Sequence, residues 1–336
     1  MSSHDTYSDP SITANIYASG LLDDLIRSAI VPFRRDLRSL SEDSYFWMLR
    51  YSKGGQHLKI RIHCQAHRRD DVKEILGTHV ERYLSSIAEV PSETRISRPK
   101  LPAIDIEDQR PVEFPDRSLV WTTYKRSHVT LGTAPWVTDD SFAALAYECL
   151  AQGCGLVLDA IEAGALDSHG ARQKLLLKAL LSGLRALGLG FADQAADYLQ
   201  YHRDWLLRFF IPETQQEQRK LEEFEEQVIA MSATVERLKA IAEEQWSSQN
   251  TSSGDGWHNS LLELAAFTRR FQDCEEYQID PFTSNVTFPP AFKMFHGLAN
   301  QIGVAPLTEA FVHHLLLRAV ALPHAATAMA GNGRRL

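Results

Sequence analysis

The sequence predicts an α+β fold, in which a small antiparallel sheet near the N-terminus packs with many helices in the C-terminal two-thirds. Two patterns lead to this prediction. Residues 45–63 read as a β-hairpin: an aromatic run (YFWMLRY), turn residues (SKGG) and a strictly alternating run (HLKIRIH). After Gly132 the apolar residues recur at helical spacing. At 336 residues and 44% hydrophobic residues, the chain is long enough to bury one large core, and we predict a single domain over residues 1–336.

Each element follows from its own local pattern. Residues 20–37 form an apolar helical stripe that bends near Pro32, and residues 118–124 read as a third strand. A Pro-rich connection occupies residues 91–116. Asp139 or Asp140 can cap the first helix of the C-terminal part, which runs to about residue 151. Further helices are predicted at 154–163, 170–188, 192–210, 216–246, 257–272, 289–302 and 306–322, with a flexible loop at 249–256 and a charged helical insertion around 213–250.

Composition excludes several classes of function. The 35 basic and 43 acidic residues give a net charge of −8, which disfavours a general nucleic-acid binder. No apolar run reaches the roughly 18 residues of a membrane span, and the N-terminus has no secretory signal. The four cysteines lack metal or disulfide spacing. We therefore expect a cytoplasmic protein with neither a nucleic-acid nor a membrane partner.

The charge is unevenly distributed along the chain. Residues 27–69 contain ten basic and three acidic residues, a local excess of seven positive charges, whereas residues 213–244 contain nine acidic and four basic residues. The acidic segment is either the surface of a homodimer or a solvated insertion, and the solvated interpretation is the default.

The alternating strand has one polar face. His57, Lys59, Arg61 and His63 share it, while Leu58, Ile60 and Ile62 share the other face. Four donors on one face can bind an anionic group. Alternation alone fits a solvated face of a half-exposed sheet equally well.

Two helical segments carry further candidate residues. Tyr198 and His202 lie four residues apart, which fits either a polar pair or an aromatic core stripe. Glu309 lies four residues before His313, where a carboxylate can orient an imidazole for acid–base catalysis. Spacing alone leaves open whether His313 or His314 faces a site. Glycine-rich nucleotide loops, nucleophile elbows and HExxH are absent. The pair His63 and His67 is a poor metal site, so we expect no metal and no cofactor.

Two segments together resemble a known family. The run ITANIYASGLLDDLIRSAIVPFRRDL and the later YFWMLRYSKGGQHLKIRIH are similar to the opening of the thiopeptide-type bacteriocin biosynthesis domain, the C-terminal or elimination domain of lantibiotic dehydratases. The family's His-x-Arg-x-Arg becomes His57-x-Lys59-x-Arg61. Its late His-Met-x-x-Asn-Arg signature is assigned to the segment from His313 to Arg318, with Leu317 in place of Asn. The large glutamylation domain is absent from these residues, so the resemblance implies a free-standing member.

The resemblance implies one of two activities. Free-standing members either eliminate glutamate from glutamylated Ser or Thr, or act as pyridine synthases that join two dehydroalanines by a formal aza-[4+2] cycloaddition and expel water and the leader peptide. Lys59 is a point charge and holds a carboxylate less well than the planar fork of arginine. The departures at Lys59 and Leu317 therefore favour the pyridine synthase. A non-catalytic leader-binding subunit is the third interpretation.

Roles follow from this choice. We predict His313, Tyr124 and Glu309 as catalytic residues, with Glu309 orienting His313. Substrate binding is assigned to His57, Lys59, Arg61, Arg126 and His202. The local positive charge predicts that Arg34, Arg35 and Arg38 bind an acidic leader. The expected partners are a modified precursor peptide with such a leader and other enzymes of its pathway.

Overall fold

The computed structural model describes residues 12–18, 20–51, 56–87, 116–122, 140–211, 213–247, 256–272, 283 and 285–321. Several predictions fall outside these residues: the hairpin turn at 52–55, nearly all of the Pro-rich connection, most of the loop at 249–256, and the site residues Tyr124 and Arg126. Within the described residues the fold is α+β, as predicted.

The sheet contains four antiparallel strands. They are β1 (Ile12–Tyr17), β2 (Tyr45–Tyr51), β3 (His57–His63) and β4 (Ser118–Thr122), in the order β2-β3-β1-β4. The hairpin of β2 and β3 is confirmed, with Trp47 opposite Arg61 and Tyr51 opposite His57. Sequence analysis did not predict β1, although Ile12, Ala14 and Ile16 alternate with polar residues there. It is the inner strand that joins β3 to β4.

Helices cover the apolar face of the sheet. Helix α1 (Leu22–Leu25) continues through a π-helical turn (Ile26–Ile30) into α2 (Val31–Leu40), and α3 (Arg69–Ser86) packs against that turn. Sequence analysis missed α3. Pro32 lies in the first turn of α2, directly after the π-helical turn, and it has no N–H to donate to that preceding turn. The ring of Phe33 in α2 contacts that of Phe46 in β2, with centroids 5.2 Å apart.

The C-terminal body is helical. Its helices are α4 (Asp140–Glu162), α5 (His169–Ala186), α6 (Gln194–Phe210), α7 (Thr214–Ala230), α8 (Ser232–Ser247), α9 (Gly256–Thr268), α10 (Phe288–Ile302) and α11 (Pro306–Val320). Helix α11 packs along α6, α9 and α10 pack on α4, and α8 packs on α11. These contacts bury one continuous core that reaches from the sheet to α11.

Two helix boundaries differ from the predictions. The two helices predicted between residues 139 and 163 are one helix, Asp140–Glu162, because the glycines within it allow close packing instead of ending the helix. A Cβ atom at Gly153 would lie 3.1 Å from the Trp257 ring and 3.2 Å from Gln301 Oε1. Conversely, residues 216–246 form two helices, α7 and α8, which break at Met231.

Helix α4 also bears on the membrane prediction. Among the described residues, Ser141–Glu162 is long and apolar enough to pass a length-and-composition test for a membrane span, contrary to the expectation from sequence. More than half of the tested window is buried inside the protein. The core helix of a globular protein passes the same test, so this helix is weak evidence for a membrane span.

Candidate functional site

A polar layer covers one face of the sheet and is buried. His57, Lys59 and Arg61 are 3%, 7% and 2% exposed. The solvated interpretation of this strand face is therefore wrong. The register places Thr13 opposite Arg61 and Asn15 opposite Lys59. The sheet thus presents donors and acceptors side by side in a water-poor environment.

Aromatic rings hold the basic side chains of this face in place. The His57 ring lies between Tyr17 and Tyr51, with centroids 4.7 and 5.4 Å away. Lys59 Nζ lies 5.0 Å from the centroid of Tyr51, within range of a cation–π interaction. Trp47 stacks on Tyr147 of α4 at 4.7 Å. Side chains packed in this way have little freedom to reorient.

Two acceptors on the same face have no hydrogen-bond partner within the described part of the chain. They are Thr13 Oγ1 and Asn15 Oδ1, and both are buried. A buried acceptor left without a partner costs about 1–3 kcal/mol. Such a group is explained when a bound ligand supplies the missing donor. The face therefore has the properties of a site for a polar ligand.

The second cluster centres on Glu309, whose side chain is fully buried between α6, α10 and α11. Its Oε1 accepts a hydrogen bond from His202 Nε2 at 2.8 Å, and its Oε2 accepts one from His296 Nδ1 at 2.8 Å. The hydroxyl of Tyr198 donates to His202 Nδ1 at 3.0 Å. This chain of bonds assigns the tautomers, because each imidazole must carry its proton on the nitrogen that faces the carboxylate.

The pKa values of the cluster follow from burial and charge. Burial by itself raises the pKa of Glu309, but the adjacent imidazoles of His296 and His202 outweigh it and hold the pKa below 4.5. Burial lowers the pKa of His202 despite its bond to Glu309. Burial also raises the pKa of Tyr198 well above its usual value. The cluster therefore contains an anionic carboxylate, a neutral His202 and a protonated phenol at neutral pH.

His313 differs from its predicted role. Its ring has no exposed surface, and its Nδ1 donates to the main-chain oxygen of Glu309 at 2.9 Å rather than to the carboxylate. Its Nε2 is buried without a partner in the described residues. Burial and the stacked ring of His202 lower its pKa to about 3. A group that exchanges protons with a substrate needs a reachable nitrogen, which His313 lacks in this structure.

His296 has the exposure that His313 lacks. Its side chain is 31% exposed. Because Nδ1 is committed to Glu309, the other ring nitrogen, Nε2, is the one available to a ligand. A carboxylate that fixes the tautomer and orientation of an imidazole in this way is the arrangement that acid–base catalysis by histidine requires.

Sequence analysis missed His296, although a signal was present. The late family signature, placed on His313 to Arg318, fits better at His296, where Asn300 follows at the signature's spacing of four. Asn300 exchanges two hydrogen bonds with the main chain of Arg50 in β2, at 2.6 and 2.9 Å. The amide thus docks α10 on the sheet one turn after His296. Gln301 stands where the signature has Arg.

Most of the remaining predicted residues have structural partners. His202 is fully buried in the Glu309 cluster, so it offers a substrate no surface. His314 accepts from Arg203 at 3.0 Å and bonds Glu225 of α7 at 3.1 Å, which ties α7 to the body. Arg34 pairs with Asp159 at 2.5 Å, and Arg35 with Glu162. Arg38 is exposed, and no carboxylate contacts it within the described ranges.

His202, Glu309 and His313 also place potential metal-ligand atoms within 4.8 Å of one another. The rings of His202 and His313 are stacked, with centroids 3.8 Å apart and planes 23° from parallel. An imidazole binds a metal in the plane of its ring, so stacked rings direct their lone pairs side by side and not toward one point. His202 Nε2 is already bonded to Glu309. The arrangement favours a hydrogen-bonded network over a metal centre.

Comparisons with known proteins agree with the sequence resemblance. A sequence model of the family "Lantibiotic biosynthesis dehydratase C-term" matches residues 12–320. The fold is similar to that of the pyridine synthase TbtD from thiomuracin biosynthesis (TM-score 0.65, 18% identity, 92% of this chain and 97% of that one). It is also similar to part of the tRNA-dependent lantibiotic dehydratase MibB from Microbispora sp. 107891 (0.58, 11%, 95% and 28%) and to TsrL (0.53, 14%, 92% and 98%). No curated protein sequence matches significantly.

Proposed function

Because this chain belongs to the family of lantibiotic biosynthesis dehydratase C-terminal domains, we propose that it is a pyridine synthase of thiopeptide assembly. In this proposal it joins two dehydroalanines of a modified precursor peptide by a formal aza-[4+2] cycloaddition, expels water and the leader peptide, and closes the macrocycle. The family supports a role in the biosynthesis of ribosomal peptide antibiotics, and the choice of cycloaddition rests on this chain's own residues.

The observation that carries the choice is the loss of arginine at two of three positions in the family's patterns. Lys59 and Gln301 replace arginines, and Arg61 remains. Lys59 packs over Tyr51, while Gln301 is fully buried and its Nε2 donates to the Leu150 carbonyl at 3.1 Å. Neither offers the planar fork that binds a carboxylate through two parallel bonds. These replacements would weaken glutamate binding most in a site that must hold a departing glutamate.

The chemistry needs proton transfer and positioning rather than a strong anion clamp. One substrate amide must react as its iminol tautomer, and water must then be lost. His296, oriented by Glu309, is the group we assign to these transfers, and Tyr124 remains a proposed hydroxyl donor. The polar sheet face, with His57, Lys59 and Arg61, would hold substrate carbonyls. Holding the two reacting ends together can supply much of the rate.

Two other functions remain as alternatives. Arg61 and the pair of His296 and Glu309 would also serve a β-elimination, in which a base removes a proton and glutamate departs. The third is a leader-binding subunit without activity. In each case the partner is a precursor peptide with an acidic leader, and Arg38 is the predicted leader contact that is exposed and has no carboxylate beside it in the described residues.

Mass spectrometry separates these functions. The purified protein is incubated with a peptide that bears two dehydroalanines and azoles, and separately with a glutamylated peptide. Released leader plus macrocycle supports the proposal, glutamate loss alone moves the assignment to elimination, and leader binding without turnover supports the third function. His296→Gln should reduce turnover about 100-fold or more, whereas His169→Gln on the surface of α5 is the matched control. Turnover by His296→Gln within threefold of wild type would remove His296 from the mechanism.

A further inference from the structure

Lys293 lies on α10, one turn before His296, and its environment is unusual for a lysine. Its Nζ lies 5.4 Å from the ring centroid of Trp205 and 5.5 Å from that of Phe292. No carboxylate in the described part of the chain forms an ion pair with it. The ammonium group is therefore held by aromatic faces, which stabilise it less than an ion pair inside a protein does.

Burial lowers the pKa of Lys293 to about 8. Burial is the single cause of this shift. The charged groups on its own helix and on the helices that face it do not contribute to the shift; they are His296, Arg203, Asp204, Arg208 and Glu309. An ammonium group with such a pKa is still protonated at neutral pH and gives up its proton far more readily than an exposed lysine. This suits a general acid.

Lys293 and His296 share one face of α10. Residues three apart on a helix are neighbours on its surface, with Cβ atoms about 5–6 Å apart. Both side chains are partly exposed, whereas nearly all other residues of α10 are buried. Part of each side chain therefore contacts solvent, although most of the Lys293 side chain is buried.

Trp205, whose ring centroid lies 5.4 Å from Lys293 Nζ, also lines a cavity of 680 Å³, although Lys293 and His296 are not among the residues of its wall. Trp205 forms part of its wall together with Tyr201 and Phe288, and Gln200 and Asn285 add side-chain amides. The same Trp205 ring contacts Phe292, with centroids 4.3 Å apart, and Phe292 stacks on His296 at 5.6 Å. Two ring contacts, Trp205 to Phe292 and Phe292 to His296, therefore separate the wall of the cavity from His296. Roughly three extended peptide residues span that distance.

We propose that Lys293 is the general acid that protonates the departing hydroxyl group during loss of water from the cyclised intermediate, with His296 as the base. This rests on the proposed function. The C–O bond breaks with its electron pair on oxygen, and the Lys293 ammonium gives that oxygen a proton, so it leaves as water. His296 Nε2 accepts a proton from the ring atom next to the carbon that loses the hydroxyl group. The electron pair of that broken bond to hydrogen forms the new double bond between the two ring atoms. Exchange with solvent restores both groups.

The inference distinguishes the two enzymatic functions. Hydroxide is a poor leaving group and needs a proton, whereas glutamate leaves as a carboxylate with a pKa of about 4.3 and does not. Loss of the Lys293 amine should therefore impair dehydration and leave glutamate elimination nearly unchanged.

The first test needs no turnover. Competitive acetylation at a series of pH values, followed by mass spectrometry, gives the labelling midpoint of each lysine. We expect Lys293 to label with a midpoint near 8, well below that of exposed Lys174 on α5. A midpoint no lower than that of Lys174, or an amine that resists labelling, would overturn the inference. This result holds even if wild type turns over neither peptide, an outcome that refutes the proposed function separately.

The second test measures turnover of the bis-dehydroalanine peptide. Wild type should lose activity as the pH rises through about 8, because the acid must carry its proton. Lys293→Met should be about 100-fold slower or more and should lose this alkaline decline, while Lys174→Met should match wild type. Lys293→Arg keeps the charge but holds its proton too tightly, so it should remain slow. A fast Lys293→Arg enzyme would show that charge alone suffices and would overturn the general-acid role.

Discussion

Replacing His313 by leucine should make the protein more resistant to acid. The ring is fully buried, its Nε2 has no partner within the described residues, and its pKa falls from 6.5 to about 3 on folding. Because the folded value is the lower one, the unfolded chain takes up a proton first as the pH falls. Stability that is present above pH 6.5 is then lost progressively down to about pH 3.

The magnitude follows from the shift. Each pH unit between the two pKa values costs about 1.4 kcal/mol. Acidification from pH 8 to pH 5 crosses 1.5 of these units, from the unfolded pKa of 6.5 down to pH 5. His313 therefore lowers the free energy of unfolding by about 2 kcal/mol over this range. Leucine has a similar volume and no titratable group. We expect His313→Leu to lie within about 1 kcal/mol of wild type at pH 8 and to gain about 2 kcal/mol relative to it at pH 5.

Urea unfolding followed by circular dichroism at pH 8, 7, 6 and 5 gives both stability curves. His169→Leu removes a histidine from the surface of α5 and controls for the loss of any imidazole. The decisive quantity is the gap between His313→Leu and wild type as a function of pH. If the two curves ran parallel, the reasoning from burial to a lowered pKa would be refuted.

Two further predictions test the contacts around the candidate site. Glu309→Gln keeps one acceptor for an imidazole N–H but turns an amide NH2 toward the other imidazole, so it should lower the unfolding free energy by about 2 kcal/mol at pH 7. Glu225→Gln, at a carboxylate 37% exposed, should change it by less than 1 kcal/mol, and equal losses would contradict the special role of Glu309. Asn300→Ala removes both bonds to the Arg50 main chain and should cost about 2 kcal/mol in thermal or urea unfolding. Asn259→Ala, on the exposed side of α9, is its control, and an equally stable Asn300→Ala protein would mean that the amide does not dock α10.

Local patterns predicted the elements whose signals are local. The hairpin of β2 and β3 and the helices α5, α6, α9, α10 and α11 follow from alternation, turn residues and apolar spacing, whereas the break between α7 and α8 does not. Strand β1 shows alternation too, but its partners β3 and β4 lie 40 to 110 residues away, so nothing nearby identified it as the inner strand. The break predicted between residues 151 and 154 is wrong because sequence does not show the close approach of Trp257, which requires a small residue at Gly153.

The candidate site was predicted only in part, because its contacts also join residues that lie far apart in the sequence. The sequence analysis singled out Glu309 and His202 separately, since each has a partner at helical spacing. Their actual bond joins α6 to α11 across 107 residues. His296 follows an apolar run and has no carboxylate within its own helix, so only the folded chain brings it to Glu309. A pair formed between two helices has no characteristic spacing in the sequence that would predict it.

The excess of seven positive charges in residues 27–69 shows how a local sum misleads about a binding surface. Arg27 pairs with Asp167 at 2.6 Å, and Arg34 and Arg35 pair with acids at the end of α4. These partners lie 125 to 140 residues away, outside any window used to count charge. Each pair neutralises a cation that the leader-binding prediction had counted as available. What remains for an acidic leader on this helix is Arg38, so Arg38→Glu should weaken leader binding more than Arg35→Glu, which also breaks a pair with Glu162.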